Sequence, residues 1–162
     1  MTSAALIPTR HGTFVARFSG AGLARLDFPG KGSIPKAAPK TAGLAKRWLA
    51  ATAAALESLL LGQAPQKLPL LDLSYATEFQ QSVWRQLLKI PPGQTRSYGE
   101  IARCLAKPGA SRAVGSACGA NPIPVIVPCH RVLAAHRRIG GFSGGPDWKQ
   151  RLLRIEGAQF IE

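Results

Sequence analysis

The chain has 162 residues, 46% of them hydrophobic, and its 21 Lys and Arg against 8 Asp and Glu give a net charge of +13. That length allows one large domain or two small ones with a real core, and no stretch reaches the ~18 uninterrupted apolar residues of a membrane span. The excess of positive charge implies a polyanionic partner, most often nucleic acid. A basic surface kept for solubility and a membrane-surface protein are the plainer alternatives, but the chain has no long basic amphipathic helix with aromatic anchors.

In chain order, residues 13–18 and 23–28 read as two short strands, with Ser19-Gly20-Ala21-Gly22 as the turn between them. Residues 29–40, rich in Pro, Gly and Lys, read as a loop. From Leu44, the positions Trp48, Thr52, Leu56, Leu59 and Leu60 recur at helical spacing up to Gly62. A linker with Pro65 and Pro69 then leads to a second half, which divides the chain into 1–72 and 73–162. The first residues, Met1 to Arg10, lack the basic start and apolar core of a secretory signal.

The second half reads as mainly helical. Thr77-x-x-Gln80 is a capping box opening a helix with Phe79, Val83 and Leu87 on one face, and it stops before Pro91-Pro92-Gly93. Ser97-x-x-Glu100 is a second box, opening a helix that runs to about Ala106 before Pro108-Gly109. Ser111 is placed to cap a third helix, Arg112 to Ala120, and Asp147 a last one that Gly157 terminates. Two short helices joined by a tight Pro-Gly turn match a helix-turn-helix. The expected fold is α/β (α+β): a small N-terminal strand-and-helix domain and a mainly helical, winged-helix-like C-terminal domain.

The third helix is notable for its small side chains. After Arg112 it offers Ala113, Gly115, Ser116, Ala117, Gly119 and Ala120, whereas a major-groove reader carries Arg, Asn or Gln for base edges. Such a helix can lie close in the minor groove, or its small face can pack on a neighbouring helix.

Residues 121–133 carry the strongest chemical signal. Val125-Ile126-Val127 reads as a buried strand framed by Pro122, Pro124 and Pro128, with Cys129, His130 and Arg131 at its exit. The thiolate is the nucleophile, and neighbouring imidazole or positive charge lowers a cysteine's pKa. Free cysteines are more often small buried hydrophobes, the fate expected for Cys104 and Cys118. An odd count of three, with no Cys-x-x-Cys, argues for a reducing cytosol and against a disulfide framework or zinc knuckle.

Five blocks, in order, are Thr95 to Glu100, Ser111 to Gly115, Asn121 to Leu133, Gly141 to Gly145 and Leu152 to Gly157. Together they resemble the O6-alkylguanine-DNA alkyltransferases over roughly residues 77–160. The resemblance implies irreversible, single-turnover transfer of an alkyl group from O6-alkylguanine, with O4-alkylthymine as a further substrate, to Cys129. His130 matches the general base, acting through a water, and Glu156 the carboxylate that orients it. Tyr98 matches the tyrosine that donates to guanine N3, and Arg112 the arginine that fills the gap left by an extruded base. A lone arginine at a helix start is otherwise a phosphate contact.

By the same resemblance, Ala113, Gly115, Ser116 and Ala117 belong to the DNA-binding helix. Asn121 ties two turns together near the backbone of Val132, and Ser143 donates to guanine O6. Lys149 matches a basic residue near the site. Phe142 stands where many members have tyrosine, so an aromatic wall remains without its hydroxyl. Some relatives hold a structural zinc through N-terminal Cys and His; here that half has His11 and no cysteine, so neither metal nor cofactor is expected. The implied partner is duplex DNA containing O6-alkylguanine, bound by a cytoplasmic monomer that associates with the nucleoid, with no membrane contact. A non-catalytic helix-turn-helix damage sensor and a cysteine hydrolase using Cys129, His130 and Glu156 are the alternative readings.

Overall fold

The computed structural model describes residues 3–32 and 43–162. The expected loop at 29–40 lies outside the described residues from 33 onward.

The N-terminal half is an antiparallel meander of three strands, β1 (Ser3–Thr9), β2 (Gly12–Phe18) and β3 (Leu23–Asp27), followed by α1 (Leu44–Leu59). Strand β1 was not anticipated; its sequence contains small residues and Pro8, which weaken the strand signal, and as an edge strand it tolerates that proline. Along β2 the side chains of Phe14, Ala16 and Phe18 alternate onto one face and are fully buried. Helix α1 covers that core with Ala55, Leu56 and Leu59. Its buried Thr52 satisfies its own hydroxyl by donating to the Trp48 carbonyl at 2.7 Å.

The linker does not hang free. Leu23 donates to the Leu70 carbonyl and Asp72 to the Leu23 carbonyl, both at 2.8 Å, so residues 70–72 run alongside β3. From β3 the amide of Leu26 also donates to the Pro122 carbonyl at 2.9 Å. A single hydrophobic cluster therefore contains Phe14, Phe28 and Leu56 together with Trp84, Val127 and Cys129.

The C-terminal half contains α2 (Glu78–Leu87), α3 (Tyr98–Cys104), α4 (Ser111–Gly119) and α5 (Pro146–Ile155), with a two-stranded parallel ladder of β4 (Arg96–Ser97) and β5 (Val132–Leu133). Both capping boxes form in full, at Thr77/Gln80 and at Ser97/Glu100. Helices α3 and α4 make the helix-turn-helix, and α4 rests on α2 as well. Gly157, at φ 68, follows the C-cap Glu156 and ends α5 in the left-handed conformation that glycine adopts without a Cβ penalty.

Three local expectations change. Ser111 is the first helical residue of α4, after an Ala110 N-cap that makes no side-chain bond, so its hydroxyl does not cap. Asp147 sits inside the first turn of α5, because Gly145 is the N-cap and Pro146 takes the first position, where its fixed φ and missing N–H suit a helix start. There the aspartate faces the positive end of the helix dipole rather than bonding a cap amide. Residues 125–127 are buried as expected but form a turn, with Val125 at φ 71 and the amide of Val127 donating to the Ile123 carbonyl. Pro124 and Pro128 remove the donors a central strand would need. A left-handed β-branched residue costs ~1–2 kcal/mol, which burying Val125, Ile126 and Val127 at about 1.5–3 kcal/mol each offsets.

Among the described residues no helix is long and apolar enough to cross a membrane.

Candidate active site

The turn at 125–128 delivers Cys129 to the start of a short 3-10 turn, Cys129–Arg131, with the cysteine only 2% exposed. Asn121, just past the end of α4, organises this turn. Its Oδ1 accepts from the Ile123 amide at 3.0 Å, while Nδ2 donates to the Val127 carbonyl at 2.8 Å and to Cys129 Sγ at 3.1 Å. The amide thus reaches the backbone of Val127 and not that of Val132, because the tight turn brings the Val127 carbonyl back beside the helix end. The Val132 carbonyl is taken instead by Lys149 Nζ, at 2.7 Å.

Behind the cysteine lies a buried charge relay. His130 is fully buried, and its Nε2 lies 2.8 Å from Glu156 Oε1. Glu156, the C-cap of α5, has a side chain only 1% exposed and also receives Arg131, through Nε at 3.0 Å and Nη2 at 2.8 Å. Arg131 Nη1 donates to the Ile90 carbonyl, so the guanidinium is anchored on both sides. Burial pushes the Glu156 carboxyl up, but bonds from His130 and Arg131 and their charges outweigh it and hold it at about 2. Burial lowers the His130 pKa, opposed by Glu156 and assisted by Arg131 and Lys149. The histidine is therefore a neutral imidazole whose Nε2–H donates to the carboxylate, and its Nδ1, with no hydrogen-bond partner among the described residues, is the basic nitrogen.

The thiol itself departs from expectation. Burial raises Cys129 to about 11, and the Asn121 bond and the Lys149 charge recover only part of that. At neutral pH the group is a thiol, because desolvation outweighs the neighbouring charge. Reaction then requires a base at the moment of attack. Lys149 is fully buried, donates also to the Gly141 carbonyl at 3.2 Å, and is lowered to about 8 by burial.

Tyr98, Gly115, Cys129, Phe142 and Ser143 line a cavity of about 650 Å³, to which Arg112 and Cys118 also contribute. That size suits a small organic group such as a base (typical sites are ~300–1,000 Å³). Burial raises the Tyr98 phenol to about 12, aided by the two cysteines, so it stays protonated as a hydrogen-bond donor. Phe142 is half-buried and Ser143 exposed, on a loop that Lys149 holds at Gly141.

Helix α4 has two faces. Arg112, Ala113 and Ser116 are exposed; Gly115 lies beneath the Tyr98 ring, where an added Cβ would sit 3.9 Å from it. Ala117, expected on the DNA-binding surface, faces the core instead: three positions on from buried Val114, it is 2% exposed, and its carbonyl accepts from Trp84 Nε1 at 2.8 Å. Cys118 is buried as expected, but Cys104, at the end of α3, is exposed.

The sequence reading did not find the Arg131–Glu156 pair. The available signal was an arginine next to His130 inside the mostly apolar run 123–135, a position where a charge needs a buried partner. Among the described residues no group of three or more His, Cys, Asp or Glu is arranged to hold a metal ion.

Residues 78–158 match the family model for the 6-O-methylguanine DNA methyltransferase DNA-binding domain. A methylated-DNA–protein-cysteine methyltransferase of Mycolicibacterium paratuberculosis is 57% identical over 86 residues, which cover 53% of this chain and 52% of that protein. One from Methanosarcina acetivorans is 55% identical over 82 residues, 51% of this chain and 53% of that protein. These alignments span about half the length of the curated relatives. The likeness in three dimensions extends further: the crystal structure of Mycobacterium tuberculosis OGT in complex with DNA superposes with a TM-score of 0.80 at 37% identity, covering 96% of this chain and 92% of that one. With half of the chain matched by the family model and nearly all of it by that structure, the chain belongs to the 6-O-methylguanine DNA methyltransferase family.

Proposed function

We propose that the protein repairs O6-alkylguanine in duplex DNA by one irreversible transfer of the alkyl group to Cys129. The observation that carries this reading is the placement of a lone-base imidazole behind a cavity-lining thiol: Cys129 Sγ faces the cavity that holds Tyr98, while His130 and Glu156 form the relay at 2.8 Å. In the reaction the S–H proton passes to His130 Nδ1, by way of a water, as sulfur attacks the alkyl carbon. The C–O6 bond breaks, its electron pair stays with guanine, and a proton donated by Tyr98 at N3 neutralises the leaving base. Glu156 stabilises the imidazolium that forms. The thioether has no leaving route back, so the protein is consumed.

The exposed face of α4, with Arg112, Ala113 and Ser116, is the surface we assign to the minor groove, and Arg112 to the place of the extruded nucleotide. Ser143 donates to O6 and Phe142 walls the base. In the same reading O4-alkylthymine is a further substrate, and the protein works as a cytoplasmic monomer without cofactor. The relative crystallised with DNA, which shares the fold of almost the whole chain, supports duplex DNA as the partner.

The test is intact-mass analysis after incubation with duplex DNA containing O6-methylguanine. One methyl should appear, mapped to Cys129 and absent from Cys104 and Cys118, and Cys129→Ser should abolish it while DNA binding persists. Repeated turnover by one molecule, or full transfer by Cys129→Ser, would rule the mechanism out.

A further inference from the structure

The loop that closes the cavity is held from the N-terminal half, by residues that do not line the cavity. Phe28, at the end of β3, is 3% exposed. Its ring lies edge-on to Phe142, with centroids 5.8 Å apart at 69°, and against Trp148 at 4.7 Å and Phe14 at 5.6 Å. Gly144 threads between the two phenylalanines so closely that a Cβ there would stand 2.6 Å from the Phe28 ring and 2.7 Å from that of Phe142. Three residues on, Lys31 Nζ donates to the Ser143 carbonyl at 3.1 Å, and the Lys31 amide closes the turn by donating to the Phe28 carbonyl at 3.0 Å. Within the loop, Gly140 and Gly145 have positive φ, so the backbone supplies little stiffness of its own. The position of Phe142 and Ser143 is therefore set by what they lean on.

We infer that Phe28 is a positioning residue for the base pocket: through its ring and the Lys31 tie it holds the Phe142–Ser143 wall in place, so that the N-terminal sheet governs how tightly O6-alkylguanine is bound without touching it. This gives the N-terminal half a part in substrate recognition, resting on the alkyltransferase reading above. The inference separates binding from chemistry, since the hydrogen bonds of Asn121 with Cys129 and of His130 with Glu156 involve neither Phe28 nor Lys31. Loss of the ring should loosen the wall and leave the attack on carbon unchanged once substrate is bound.

The test follows single-turnover alkylation of the full chain by free O6-benzylguanine, which removes DNA contacts from the result. In Phe28→Leu the concentration for half-maximal rate should rise roughly tenfold while the limiting rate stays within about twofold. Phe18→Leu is the control: Phe18 is equally buried but stacks on Trp48, away from the loop. It should lower the unfolding midpoint comparably and leave both kinetic parameters unmoved. Lys31→Met changes an exposed side chain and does not endanger folding; it should raise the half-saturating concentration about threefold, and it decides the question alone if Phe28→Leu does not fold. Half-saturation unchanged in these variants, or a change shared by Phe18→Leu, overturns the inference while the transferase reading stands. No transfer by the wild type overturns that reading, and this inference with it.

Discussion

The two walls of the cavity are built on opposite plans. On one side, the turn from Asn121 to Arg131 is fixed at every point: the Asn121 amide spans it, Val125 is locked in a left-handed turn by apolar burial, and His130 and Arg131 converge on one carboxylate. On the other side, the loop from Gly140 to Gly145 contains four glycines and is held by side chains from elsewhere, Lys149 at one end and Phe28 and Lys31 at the other. The reacting sulfur needs a set geometry, because small displacements are costly in the attack. In the proposed reaction the other wall has to admit and release a planar base. The comparison teaches that the wall carrying the sulfur is fixed by its own turn and ion pairs, whereas the wall with Phe142 and Ser143 is held by side chains that belong to other elements.

The sharpest way to break the comparison is to loosen the rigid wall. Glu156→Gln leaves Arg131 buried without its counter-charge and should cost about 3 kcal/mol of stability, measured by urea unfolding, together with a marked slowing of transfer. The wild-type pair also carries a pH signature. Glu156 titrates at about 2 when folded against an ordinary value of 4.5, so the unfolded chain takes up its proton first as acid is added. Its contribution is whole above about 4.5 and is lost as pH falls towards 2; Glu156→Gln should lack that part of the acid transition.

The resting thiol gives the next effect. With Cys129 at about 11 rather than its ordinary 9, its thiolate fraction at neutral pH is lower by about a hundredfold. Alkylation of Cys129 by iodoacetamide should rise with a midpoint near 11, whereas a midpoint below 9 would show a preformed thiolate and contradict a base-dependent attack.

Arg112→Ala probes the surface proposed to meet DNA, at the edge of the cavity that Arg112 itself helps to line. Transfer from duplex DNA should fall by roughly tenfold or more, since flipping costs a few kcal/mol, while reaction with free O6-benzylguanine should be unaltered. Equal losses on both would place Arg112 in the pocket chemistry. The smallest effect belongs to the soft wall: Ser143→Ala removes one hydrogen bond and should slow transfer by at most about tenfold, seen as weaker binding in a saturation series.

What the sequence disclosed, and what it withheld, follows from the range of the forces involved. The boxes at Thr77/Gln80 and Ser97/Glu100 are interactions over three residues, and both were legible. The helix starts at Ala110 and Gly145 were not, because neither residue carries a capping side chain and the polar neighbour drew the boundary one or two places late. Residues 125–127 have the composition of a strand, but strand formation needs a partner that composition does not name. Ala117 looked like its neighbours on α4; only the indole of Trp84, 33 residues away, marks that face as the inner one. Cys129, His130 and Glu156 stood out through the family's motif blocks, yet Arg131's claim on the same carboxylate and the bracing by Phe28 are long-range contacts between residues with no motif.

The molecule also carries its own optical reporters. Of three tryptophans, Trp48 stacks on Phe18 in the N-terminal core, Trp84 is bonded beneath α4, and Trp148 packs on Phe28 with the guanidinium of Arg151 4.8 Å from its ring centre. An indole's emission depends on the polarity and charge around it, and these three sit in different layers. Light from Trp84 reports on the seat of α4, and light from Trp148 on the aromatic cluster around Phe28. The N-terminal core, the seat of α4 and the aromatic cluster at the loop thus each have a native fluorophore beside them, with no label added.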